Sequence, residues 1–162
     1  MKSFTKNIIL FRVAAALIFI MAPALPVCAS ALPGELRNWR LASEHVTDLV
    51  LTDRNLGKWI NASYVRPAPP ARIEVQLTKG SGPGELFVPE GMVSSDDGPI
   101  GFLSTYETLN IAGRRAILER NDVTGQVLAV ALGTRTITFE ARGISREELL
   151  DFAESMIEAL LK

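Results

Sequence analysis

The chain is poor in the residues that carry most protein chemistry, with one cysteine, Cys28, and one histidine, His45, among 162 residues. A lone thiol closes no internal disulfide, and a lone imidazole without further soft ligands excludes the usual zinc centres. Charge of one sign is missing too. Seventeen basic residues stand against eighteen acidic ones, and phosphate neutralisation needs a basic surplus, so a generic nucleic-acid binder is excluded. No apolar run is long enough to span a bilayer: Val13 to Ala22 is uncharged for ten residues, and a crossing needs roughly 20.

Several catalytic signatures are absent as well. No Gly-x-Ser-x-Gly elbow supplies a nucleophile for His45, so that residue and Asp48, three positions on, make at most a half-exposed polar pair on one face of a helix. Lys79-Gly80-Ser81-Gly82-Pro83-Gly84 has the glycines of a phosphate loop but neither its Gly-Lys-Ser/Thr order nor a following helix; Leu86-Phe87-Val88 reads as strand. Glu90, Asp96 and Asp97 lack the alternation and closing glutamate of a calcium loop. No cofactor is expected.

What is present begins with an export signal. Lys2, Lys6 and Arg12 precede the short apolar run, and Pro23, Pro26 and the small residues Ala29, Ser30 and Ala31 follow it. This is the layout of a secretory signal peptide. Residues 1–31 are expected to be removed before Leu32, with Val27-Cys28-Ala29 offering a second cut before Ser30. Lipidation at Cys28 is the minority alternative. The remaining 32–162 would form one domain carrying four more acidic than basic side chains, periplasmic or secreted, and meeting the membrane only through its signal.

Within that domain the apolar period is mostly two. Ile73, Val75 and Leu77 alternate with Glu74, Gln76 and Thr78, and Ile137, Phe139 and Ala141 alternate with threonines and Glu140. A meander is expected over Thr105–Ala112, Arg114–Arg120, Gln126–Leu132 and Arg135–Ala141, with turns at Gly113, Asn121–Gly125 and Gly133-Thr134 and the charge-free third strand central. Arg66-Pro67-Ala68-Pro69-Pro70 reads as an extended spacer, and Ser94 to Pro99 as a loop. Ser145 and Glu148 form a capping box that opens a helix to about Leu161, apolar along Leu149, Phe152, Ala153, Met156, Ile157 and Leu160. Residues 42–65 stay unassigned. The fold class is therefore α+β: a single domain with an antiparallel sheet of five to six strands and a C-terminal helix packed across one face.

The stretch from Thr136 to Met156, containing Arg-Gly-Ile-Ser-Arg-Glu-Glu-Leu-Leu-Asp-Phe-Ala-Glu-Ser-Met, resembles the closing strand and helix of DUF4367, a family of extracytoplasmic bacterial domains of unknown function. That resemblance implies a small α+β sensory or binding module with no assigned catalytic residues.

Trp39, Trp59, Tyr64, Phe87, Phe102, Tyr106 and Phe139 are read as core. Arg114, Arg115, Arg120, Arg135 and Arg142 are read as a solvated sheet face paired with Glu119 and Glu140. Val88, Met92, Ile100 and Phe102 are the candidate apolar cleft or partner surface. A non-catalytic periplasmic binding or interaction module follows, its partner an envelope protein or an apolar ligand. A lipid or lipoprotein carrier would need a continuous apolar cleft, and a carboxylate-based hydrolase two acidic side chains in one pocket. An auxiliary part of an envelope complex would show an exposed apolar patch or an open sheet edge.

Overall fold

The computed structural model describes residues 30–79, 86–90 and 104–162, with the backbone of 94–96. Among the described residues nine strands and one helix follow one another: β1 (Glu35–Leu36), β2 (Trp39–Leu51), β3 (Arg54–Pro67), β4 (Pro70–Lys79), β5 (Ser94–Asp96), β6 (Thr105–Ile111), β7 (Arg114–Asn121), β8 (Gly125–Leu132), β9 (Arg135–Ala141) and α1 (Arg146–Leu161). They form one antiparallel sheet in the order β1-β2-β3-β4-β9-β8-β7-β6-β5. Two meanders thus meet at a seam, where Ile73 pairs with Ala141, Val75 with Phe139 and Leu77 with Ile137. The α+β class holds, and the strand count rises from five or six to nine. The additions are residues whose pairing is not written in their own periodicity: the two-residue β1, the three-residue β5, and the long β2–β3 hairpin.

Alternation does what it should at the seam. Ile73, Val75, Leu77, Ile137 and Phe139 are fully buried on one face, and β8 and β7 extend that face with Leu128, Val130, Leu118 and Ala116. The strand β8 lies inside the sheet between β9 and β7. Ser145 caps α1: its hydroxyl accepts from the Glu148 N–H at 3.1 Å, and its own N–H donates to the Glu148 carboxylate at 3.1 Å. The helix then lies on the apolar face. Phe152 meets Trp39, Tyr64 and Phe139 edge-on, with ring centroids 5.4, 5.2 and 5.9 Å away. Arg66, buried on β3, stands 5.0 Å from the Trp39 ring and donates to the Pro69 carbonyl at 2.9 Å and to Glu148 at 2.5 Å. The guanidinium beside it and the capping N–H of Ser145 hold the Glu148 carboxyl below its ordinary value.

Three local expectations change. The proline-rich spacer is the turn of the β3–β4 hairpin, Pro67 facing Pro70 across Ala68-Pro69, whose peptide bond is cis. Proline is tolerated there because strand ends need not donate to the ladder. Ser94–Asp96, read as loop, pairs with Glu107–Thr105 as an edge strand. Leu86-Phe87-Val88, read as strand, pairs with no strand among the described residues. At the β7–β8 turn the Asn121 side-chain oxygen accepts from the N–H groups of Val123 and Thr124 at 2.8 and 2.9 Å. Gly125 closes that turn at φ +97°, where a Cβ would come within 2.4 Å of the Ala141 carbonyl oxygen. Only glycine fits.

Candidate functional site

The four residues proposed as a cleft are not brought together in the described structure. Met92, Ile100 and Phe102 lie outside the described residues. Val88 is 5% exposed but stands apart from the main core. Its segment is tied to Arg115, on the face of β7 away from the helix, whose guanidinium donates to the carbonyls of Val88 and Pro89. Two of the aromatics read as core are not: Phe87 is 83% and Trp59 39% exposed. Arg114 and Arg120 share the helix-side face and Arg115 takes the other, as parity requires. The expected ion pairs are replaced by other bonds. Glu119 accepts from Ser104, Glu140 from Gln76, and Arg142 donates to the Thr124 carbonyl at 2.8 Å.

An acidic pair does face one groove. On the outer side of the seam Glu74 is directly opposite Glu140, and with Arg72, Thr124, Val127 and Arg142 they line a hollow of about 340 Å³. Acid–base chemistry on two carboxylates needs unlike surroundings that push one towards the acid and the other towards the ion. Neither side chain is buried: Glu74 is half-exposed and bonded by Arg72, and Glu140 is exposed and bonded by Gln76 at 3.0 Å. Among the described residues no three His, Cys, Asp or Glu side chains gather as metal ligands, and no helix is long and apolar enough to cross a membrane.

The more distinctive surface is the β2–β3 hairpin. Its strands run 13 and 14 residues, yet β4 pairs with β3 only from Lys58 onward and β1 covers β2 only at Trp39 and Arg40. The far edge of β2, from Ser43 to Leu51, therefore faces no strand among the described residues. Such an edge presents backbone N–H and C=O groups in a row. Val46, Val50, Leu51 and Trp59 are on this hairpin, four of the seven large apolar side chains exposed among the described residues, with Val50 and Leu51 at 64% and 63%. Register shifts between Leu41 and Ser43 and between Leu49 and Val50 break its alternation. That is why residues 42–65 resist assignment. His45 is exposed and opposite Asn61; on a strand it and Asp48 point to opposite faces, so no helical pair forms.

The base of the same strand is buried differently. Glu44, on the helix side, accepts from the Ser30 hydroxyl at 2.6 Å and from the N–H groups of Ala31 and Leu32 at 3.0 and 3.2 Å. Burial alone would raise its pKa. The three hydrogen bonds, with Lys79 nearby, outweigh burial and hold the carboxyl below its ordinary value. Tyr64, fully buried, donates to the Pro33 carbonyl at 2.5 Å. Burial and the Glu44 charge push its phenol well above the usual range, so it stays protonated. No sequence signal marked Glu44, because its partners are twelve to fourteen residues away.

Compared with known protein-family models, curated proteins and solved structures, the chain gives no match.

Proposed function

We propose that this chain is an exported, non-catalytic interaction module of the bacterial envelope, and that it docks an extended segment of a partner protein along the β2 edge. One observation carries this: the edge that faces no strand among the described residues and four exposed apolar side chains, Val46, Val50, Leu51 and Trp59, lie on one hairpin. Strand addition uses main-chain hydrogen bonds for affinity and alternate side-chain contacts for selectivity. A lipid tail could not satisfy the edge amides. At the hairpin's outer end, between residues 48 and 58, Asp48 and Asp53 are balanced by Arg54 and Lys58, which leaves no positive surplus there for an anionic membrane surface. The carrier alternative has less support, because Phe152, Met156 and Ile157 fill the apolar face of the sheet. The hydrolase alternative rests on Glu74 and Glu140, which lie on the open outer face of the sheet with no enclosed pocket around them among the described residues.

Site-specific photocrosslinking in the periplasm tests this. Probes at His45, Thr47 and Val50 should capture one discrete protein partner, and a probe at Glu158 on the outer face of α1 should not. Equal capture at all four positions, or none at the edge, overturns the docking site.

A further inference from the structure

From the bonds made by Ser30 and Ala31, we infer that the exported chain begins at Ser30, the envelope peptidase cutting between Ala29 and Ser30, and that Glu44 is the receptor for this new amino terminus. The inference rests on the export proposal and adds the position of the cut. Two cuts satisfy the small-x-small rule, before Ser30 and before Leu32. They differ in what the folded domain keeps.

Cutting before Leu32 would discard two of the three donors on Glu44, the Ser30 hydroxyl at 2.6 Å and the Ala31 N–H at 3.0 Å. Cutting before Ser30 keeps all three donors, the Ser30 hydroxyl and the N–H groups of Ala31 and Leu32. From Ser30 onward the segment is engaged at nearly every step. Leu32 is 3% exposed in the core, Pro33 accepts from Tyr64, and the Gly34 carbonyl accepts from the Leu41 N–H at 2.8 Å. Peptide hydrolysis adds water across the Ala29–Ser30 amide, leaving a carboxylate on the leader and an α-ammonium on Ser30. That ammonium is created on the residue whose hydroxyl bonds the Glu44 carboxylate at 2.6 Å, and an opposite charge so near stabilises it.

The full precursor, expressed in an exporting bacterial host and recovered from the periplasmic fraction, should give Ser30 as first residue by amino-terminal sequencing and intact mass. A first residue of Leu32, or an acylated Cys28, overturns the inference while export stands. A chain retained in the cytoplasm with its first 29 residues overturns export and the inference with it. Stability gives an independent check. Ser30→Ala keeps a small residue at the cut and should lower the Tm of the processed protein by about 2–5 °C. In the Glu44→Gln background the same change should do almost nothing. If Ser30→Ala leaves the Tm of the otherwise unaltered protein unchanged, Ser30 is not a ligand of Glu44 and the inference fails.

Discussion

The two halves of the sheet solve the same problem in opposite ways. From β6 to β9 the strands are seven or eight residues long, joined by tight turns, and α1 seals their inner face. On the other side β2 and β3 run nearly twice as far, carry two register shifts, and leave their apolar tips in water. One half spends its hydrophobic residues on stability. The other leaves Val46, Val50, Leu51 and Trp59 exposed. Exposure of this kind, beside an edge that faces no strand among the described residues, is what the proposed docking surface rests on.

That contrast can be broken by substitution, beginning where the effect should be largest. Phe152→Ala removes the ring that meets Trp39, Tyr64 and Phe139 and should cost about 3–5 kcal/mol in denaturant unfolding. Gly125→Ala forces a Cβ against the Ala141 carbonyl at an unfavourable φ and should cost about 1–3 kcal/mol; an unchanged midpoint would mean that the β7–β8 turn is not rigid. Glu44→Gln should act through pH. Because the folded carboxyl is held below its ordinary value of about 4.3, its contribution is complete above that pH and is lost as the pH falls through the folded value. Thermal melts should therefore separate Glu44→Gln from the unsubstituted protein at pH 7, and the gap should narrow as the pH falls below that ordinary value. The smallest effect on folding belongs to the hairpin. Val50→Lys with Leu51→Lys should shift stability by no more than about 0.5 kcal/mol and yet abolish the crosslink to the partner. A large loss of stability would show that the hairpin tip is part of the core, and the two halves would no longer differ in kind.

The same contrast explains which parts were legible in the sequence. The strands β6 to β9 come out within a residue or two of their expected limits because each buries alternate residues under one helix, and Ser145 with Glu148 announces where that helix starts. The β2–β3 hairpin defeats period-two reasoning, since its register shifts turn apolar residues out of phase and its tip buries few of them. The short strands β1 and β5 exist by pairing with a neighbour, and a two- or three-residue segment has no period to read. Of the four residues expected to form an apolar surface, Val88 alone falls among the described residues, and it is covered. The docking surface proposed instead lies where a β-propensity argument was weakest. Exposed Val50, Leu51 and Trp59 look, in sequence, like any buried strand residues.

The seam between β4 and β9 also sets an order of events. Ile73 and Ala141 are partners across 68 positions of chain, so the middle of the sheet can close only when almost the whole polypeptide has been made. Until then the first meander has two open borders, one along β2 and one along β4, and only the second disappears when β9 arrives. Closing so distant a pair is slow compared with forming local hairpins. A newly emerged chain therefore passes through a stage with an open edge along β4 that the finished protein lacks, while the β2 edge from Ser43 to Leu51 still faces no strand among the described residues.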